Sequence, residues 1–191
     1  MLVLTVQGQS LYKESDGIII KTEKRNCAIH QIRLKVCGQN IIQVVVSPSD
    51  TFSSTKSLIV TEKLETSLKW QSSEDDSVII LSTDSISAVF DKNTNRIKFQ
   101  KKDGTQILVD DGKEFFPAEV MNEKCYNVKQ SFMHSAHESL YGLGSYMDGE
   151  VRLNNKKVTM LQRNREDVVP FIISTNHYGI LWDNYSLSEF N

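Results

Sequence analysis

The chain has 191 residues, 22 of them Lys or Arg and 24 Asp or Glu, for a formal net charge of -2, with 39% hydrophobic and 24% charged residues. That length makes one ordinary domain or two small ones, and a chain of this size buries roughly 70% of its unfolded surface without a disulfide or metal staple. The near-neutral balance argues against an electrostatically driven nucleic-acid binder, and no run approaches the roughly 18 apolar residues of a membrane-spanning helix.

In chain order the dominant hydrophobic period is two. The first ten residues, MLVLTVQGQS, lack the basic stretch that opens a signal peptide, which leaves a cytoplasmic protein or a polypeptide cut after its signal. In Gln31–Val36, Ile32, Leu34 and Val36 share one face and Gln31, Arg33 and Lys35 the other. Ile41–Val46 is β-branched almost throughout and reads as a strand buried on both faces. Leu64, Thr66, Leu68 and Trp70 alternate with Glu65, Ser67 and Lys69. A helix is a rival there, because Leu64/Leu68 and Glu65/Lys69 also sit at i,i+4; strand-like flanks favour a strand.

Val78–Leu81 is a short apolar run, and Ile86, Ala88 and Phe90 alternate after it. Residues 91–95 (Asp-Lys-Asn-Thr-Asn) are turn chemistry, since Asn and Asp tolerate a left-handed backbone and bond locally. Ile97 and Phe99 alternate next, Asp103-Gly104 reads as a hairpin turn, Ile107–Val109 as a strand, and Asp111-Gly112 as a further turn. Val158–Leu161, Val168–Ile173 and Tyr178–Trp182 read as strands, with Pro170 at or near a strand start, where its missing N–H is tolerated. Short strands with turns every 8 to 12 residues or so predict an all-β fold, one large two-sheet antiparallel sandwich with a core of Ile, Val, Leu and Phe. The end at Glu189-Phe190-Asn191 has no tail or cap and reads as a cut inside a longer polypeptide.

Few residues suggest chemistry. Three cysteines, Cys27, Cys37 and Cys125, cannot form a complete intrachain disulfide set, and on one continuous strand Cys27 and Cys37 would lie about 33 Å apart. They read as free thiols. His134 and His137 form the one close histidine pair, without helical periodicity around them or further ligands at zinc spacing; loop histidines are expected, and no metal. The acidic pairs Asp75/Asp76, Asp110/Asp111 and Glu166/Asp167 read as solvated carboxylates at turns. Asn184-Tyr185-Ser186 matches the glycosylation triplet, too common by chance to carry a reading. Gly142-Leu143-Gly144, between Tyr141 and Tyr146, calls for unusual backbone angles or a close backbone approach. A β-bulge satisfies that need; a loop presenting Tyr146 and Asp148 to a ligand cleft is the functional alternative.

Read together, the segment Glu138–Phe190 resembles the region before the catalytic barrel of glycoside hydrolase family 31. The resemblance is carried by Tyr141-Gly142-Leu143-Gly144, then Val158-Thr159-Met160-Leu161-Gln162-Arg163-Asn164, then Val169-Pro170-Phe171 with Ser174, and finally Tyr178-Gly179-Ile180-Leu181-Trp182-Asp183-Asn184. The pieces containing Gln162-Arg163-Asn164 and Leu181-Trp182-Asp183-Asn184 are most similar to the α-xylosidase branch. Ser145 departs from the Glu or Gln that many members carry after this glycine pair. The upstream meander fits the same domain with less specificity.

The resemblance implies a galactose-mutarotase-like β-sandwich over 1–191, lying N-terminal to a (β/α)8 barrel of a retaining exo-acting α-glycosidase, often in a periplasmic or secreted setting. The two catalytic aspartates would belong to the barrel, so it places no catalytic residue, metal or cofactor in this chain. It implies oligosaccharide substrate through the whole enzyme, and a loop toward the barrel mouth whose best candidates are Tyr146, Met147 and Asp148. Trp182 and Tyr185 read as packing residues ahead of sugar-stacking ones. A contiguous apolar patch near Tyr178–Trp182 and Phe190, prone to self-association in isolation, is expected where the barrel docks. An autonomous carbohydrate-binding module is the competing reading.

Overall fold

The computed structural model describes residues 10–22, 29–60, 68–147 and 149–191. Every regular element among them is a strand, and every pairing between strands is antiparallel. The chain divides into two compact units, residues 1–56 with 61–133 and residues 57–60 with 134–191.

The first unit is a two-sheet sandwich. One sheet holds β1 (Ser10–Lys13), β2 (Gly17–Lys21), β3 (Gln31–Gly38) and β4 (Ile41–Ser47) in sequence order. The other holds β5 (Trp70–Glu74), β6 (Val78–Thr83), β7 (Ile86–Asp91), β8 (Ile97–Lys101), β9 (Gln106–Val120) and β10 (Glu123–Met133), also in order. Period-two alternation decides which face is buried, because residues directly opposite across a ladder share a face. Ile18 lies opposite Leu34, Ile20 opposite Ile32, and Leu34 opposite Val44. Ile79 lies opposite Phe90, Leu81 opposite Ala88, and Phe90 opposite Ile97. These two inner faces merge into one buried cluster, with Leu11, Ile42, Val44, Val46, Leu68, Trp70, Phe99 and Phe115 packed around it.

The turns follow their side chains. Asp91 Oδ1 accepts the N–H groups of Asn93 (2.9 Å) and Thr94 (2.8 Å), and Asn95 takes φ +57°. Asp103 Oδ1 accepts the Thr105 N–H at 2.9 Å beside Gly104 at φ +84°. Asp75 Oδ1 accepts three bonds, from the N–H groups of Ser77 and Val78 and the Ser77 hydroxyl, which hold its carboxyl below the ordinary carboxylate value.

Four expectations are corrected here. Ile41–Val46 is not buried on both faces: β4 ends its sheet among the described residues, and the side chains of Ile41–Val46 are half-buried or exposed. Asp111-Gly112 is not a turn. It lies inside the 15-residue β9, where the register against β10 shifts at Ser131/Phe132 and Gly112 takes φ +142°. The turn comes later, at Met121 (φ +53°) and Asn122 (φ +67°), the positive pair of a two-residue hairpin loop. Asp110 is not solvated either. It is 2% exposed and ion-paired with Lys113 across the bulge. The Gly112 N–H (2.8 Å) and Gln130 Nε2 (2.8 Å) donate to its Oδ1, and the Ile97 N–H (3.3 Å) to its Oδ2. A buried carboxylate needs that set of partners to offset its lost hydration. Its neighbour Asp111 is half-exposed and pairs with Arg96 at 3.0 Å.

The fourth correction is Pro170. The second unit holds a three-stranded sheet of order β11 (Leu140–Ser145), β13 (Asp167–Ser174), β14 (Tyr178–Leu181), and the pair β12 (Val158–Met160) with β15 (Ser188–Phe190). Pro170 is the fourth residue of β13, the central strand, rather than its start. A central strand tolerates proline only where the ladder is interrupted. Here the β11–β13 register breaks between Gly142 and Gly144, so no ladder partner of Pro170 awaits an N–H. Its carbonyl still accepts the Trp182 N–H at 2.8 Å. Residues 64–67 of the alternating Leu64–Trp70 segment, and Cys27, lie outside the described residues.

Candidate functional site

The segment with unusual backbone is Gly142-Leu143-Gly144, with φ of +123°, +62° and +104° in succession. The expected bulge is present. A Cβ on Gly142 would meet the Phe171 carbonyl and one on Gly144 the Asp167 carbonyl, so both positions exclude larger residues on space as well as angle. The inverted backbone turns Leu143 inward, where it is 1% exposed.

Beyond the bulge the chain leaves as a loop that returns at Arg152, which bridges to Tyr141, while the Leu153 N–H donates to the Leu140 carbonyl at 2.8 Å. Of the three residues expected to face substrate, Tyr146 is half-buried and its hydroxyl donates to the Leu143 carbonyl at 3.1 Å, tying the loop to the bulge. Met147 is 77% exposed. Asp148 lies outside the described residues.

The base of this loop is fixed by a polar knot that the sequence reading missed. Glu138, next in the chain to the histidine pair His134 and His137, is 3% exposed. The hydroxyls of Ser174 and Tyr178 donate to its carboxylate, as does the Ser135 N–H at 3.3 Å. Burial pushes the Glu138 carboxyl up, but those bonds and nearby His134 outweigh it and hold it below the ordinary value; burial and the same carboxylate push the Tyr178 phenol well above its own. Asn154 closes the knot: its Nδ2 donates to the Glu138 carbonyl at 2.8 Å and lies 3.1 Å from His134 Nε2, while its Oδ1 accepts the Leu140 N–H at 3.0 Å. Glu138 and Ser174 stand 36 residues apart, and no local spacing in the sequence reveals their pairing. No group of three or more metal-ligating side chains gathers among the described residues.

The remaining motif residues hold backbone. Gln162 Nε2 donates to the Glu166 carbonyl at 2.6 Å and its Oε1 accepts the Val168 N–H at 3.0 Å, clamping the entry to β13. Tyr185 accepts the Leu58 N–H and donates to Asp183 Oδ1 at 2.7 Å, which straps residues 57–60 to the second unit. One face of the three-stranded sheet presents Tyr141, Val169, Phe171, Ile173 and Leu181, all 37–52% exposed, four of them matched across the ladders as Tyr141/Ile173 and Phe171/Leu181. Trp182, Tyr178 and Phe190, the expected centre of an apolar patch, are less exposed than these.

Known proteins share both sequence and architecture with this chain. An alpha-xylosidase of Saccharolobus solfataricus is 29% identical over 168 residues, 83% of this chain and 23% of the relative. An uncharacterized family 31 glucosidase of Pseudescherichia vulneris is 34% identical over 79 residues, 41% of this chain and 14% of its own length. The crystal structure of the GH31 alpha-xylosidase from Xanthomonas citri superimposes with a TM-score of 0.85 at 28% identity, covering 93% of this chain and 19% of that one. A GH31 alpha-xylosidase from a soil metagenome, solved with xylose, shares the fold at a TM-score of 0.77 and 19% identity, over 94% of this chain and 29% of that one. The chain thus spans about a quarter or less of the curated relatives it matches. The profile of the glycosyl hydrolase 31 N-terminal galactose mutarotase-like domain matches residues 31–191, and the chain belongs to that family.

Proposed function

We propose that this chain is the non-catalytic N-terminal wall of a retaining α-glycosidase that removes terminal α-xylosyl residues from oligosaccharides. The single observation that carries the reading is the apolar face of the three-stranded sheet. Five large apolar side chains, four of them in ladder register, stand on strands that also hold the family motifs, a surface suited to burial against further protein. The occupant in this reading is the (β/α)8 barrel that supplies both catalytic carboxylates. The loop after the bulge completes the pocket: Tyr146 holds its position through Leu143, Met147 offers an apolar edge to the sugar, and Asp148 hydrogen-bonds hydroxyls.

The reading has a direct test. The pure 191-residue chain, assayed on an aryl α-xyloside, shows no turnover, and light scattering shows it self-associating through the exposed sheet face. An enzyme that joins the chain to a barrel hydrolyses the same substrate, and Met147→Ala there raises KM with little change in kcat. Turnover by the chain alone overturns the proposal.

A further inference from the structure

β9 and β10 run on together past the rest of their sheet. β8 meets β9 only at Gln106, Leu108 and Val109, so residues 113–120 and 123–130 form a two-stranded arm with no third strand among the described residues. Two strands alone make a marginal ribbon. Phe116, Val120, Tyr126 and Val128 are 47–60% exposed along it. The two edges of the arm differ. The two-residue loop at Met121 and Asn122 closes on Val120 and Glu123, which exchange both backbone bonds, so the hydrogen-bonded pairs are Val120/Glu123, Ala118/Cys125, Phe116/Asn127 and Glu114/Lys129. Pro117 and Tyr126 fall in the alternate set, whose backbone groups point away from the ladder. Pro117 therefore leaves a gap among the donors of the β9 edge. On β10, Lys124, Tyr126 and Val128 each offer an N–H and a carbonyl that no other strand takes among the described residues. One edge is blunted and the other is open.

The open edge is complementary to itself in charge. When two antiparallel copies of β10 meet about a two-fold axis, outward-facing residues must oppose outward-facing ones, so the axis passes through a residue. Centred on Tyr126, the pairing sets Glu123 opposite the second copy's Lys129 at both ends, Lys124 opposite Val128, and Tyr126 opposite itself. Centres at Lys124 or Lys129 oppose two ammonium groups, and centres at Cys125, Asn127 or Val128 oppose no charges, so Tyr126 is the favoured register. Lys129 already pairs with Glu114 at 2.9 Å on its other side, so the row Glu114, Lys129, Glu123 alternates in sign across the axis. We propose that β10 is a dimerisation edge, at which two copies of this chain join their six-stranded sheets antiparallel about Tyr126. So short a strand buries less than the roughly 1,200 Å² of a standard interface, and the dimer is accordingly weak and best read by trapping. The pairing requires neither the barrel nor α-xylosidase activity, and the trap described next is blind to contacts through the sheet face of the second unit.

In this register Cys125 faces Asn127 of the second copy as a non-hydrogen-bonded pair, whose Cα atoms lie about 4.5 Å apart, within reach of a disulfide. The Asn127→Cys chain, with oxidised glutathione as the oxidant, therefore gives a covalent dimer on a non-reducing gel, and Cys125→Ser in the same variant removes it. At low salt, adding Glu123→Lys or Lys129→Glu to the Asn127→Cys chain cuts the linked yield about fivefold, because each change opposes like charges at both ends. All three positions are exposed. An equimolar mixture of the two charge variants recovers the yield, since each chain then offers the sign that the other needs, and this recovery excludes unfolding of the arm as the cause. The absence of a linked dimer overturns the proposal, as does a link that survives Cys125→Ser, a yield indifferent to both charge reversals, or a mixture that fails to recover.

Discussion

The two units solve the problem of cohesion differently. In the first, two sheets bring Ile18, Ile32, Leu34, Ile79, Leu81, Phe90 and Ile97 to full burial, and the hydrophobic effect alone favours that arrangement over solvated strands. In the second, only Leu143 and Leu153 are buried among the apolar described residues, and the centre is the Glu138–Ser174–Tyr178–Asn154 knot. A non-directional apolar core tolerates small displacements. A hydrogen-bonded knot demands fixed geometry and fails when one partner is lost. The region that carries the family motifs is therefore the one whose backbone is held by directional bonds, with its apolar side chains turned outward on the sheet.

That contrast can be broken first in the sandwich. Phe90→Ala costs about 3–5 kcal/mol, read by denaturant unfolding, because it opens a cavity where both sheets meet. Lys113→Met costs about 3–5 kcal/mol, since it strands Asp110 in a buried site; the double variant Asp110→Asn with Lys113→Met recovers much of the loss. If Lys113→Met costs nothing, the buried pair is not part of what holds the β9–β10 bulge.

The second unit is tested by smaller changes. Gly144→Ala, at φ +104° and against the Asp167 carbonyl, costs about 1–3 kcal/mol. Amide exchange then rises in β11 and β13 while β6–β8 stay protected, an outcome that separates the units. Glu138→Gln costs about 1–3 kcal/mol by weakening the bonds from Ser174 and Tyr178. It also changes pH dependence. Folding holds the Glu138 carboxyl below the ordinary 4.5, so its contribution is complete above that value and is lost as pH falls through the lower folded one. Protection of β11 in the parent chain accordingly declines on acidification below the ordinary carboxyl range, and the Glu138→Gln variant lacks that part of the decline. Tyr146→Phe has the smallest effect, about 0.5–1.5 kcal/mol, seen as faster exchange of the loop after β11 with the sandwich untouched.

Much of the first unit was legible along the chain. Ile86, Ala88 and Phe90 alternate because a strand sends successive side chains to opposite faces, and Asp91, Asn95, Asp103 and Gly104 turn the chain through their own local bonds. These are short-range consequences of residue type. The glycine pair at Gly142 and Gly144 likewise announced a bulge, since no other residue takes those angles against a neighbouring carbonyl.

What the chain did not announce lies at long separation. Asp110 looked like one of two turn carboxylates; its burial depends on Lys113 across a bulge and Gln130 on the returning strand. Glu138 carried no reading of its own, and its role depends on Ser174 and Tyr178 from two later strands. Pro170 looked like a strand start, and a break in the partner strand is what admits it to the sheet centre. Local alternation and turn chemistry fix which residues form strands, because they act over neighbouring residues of one chain. Which polar groups are paired, and which apolar face is left open, is decided only when distant strands meet, because desolvation and directional bonding are properties of the assembled surroundings.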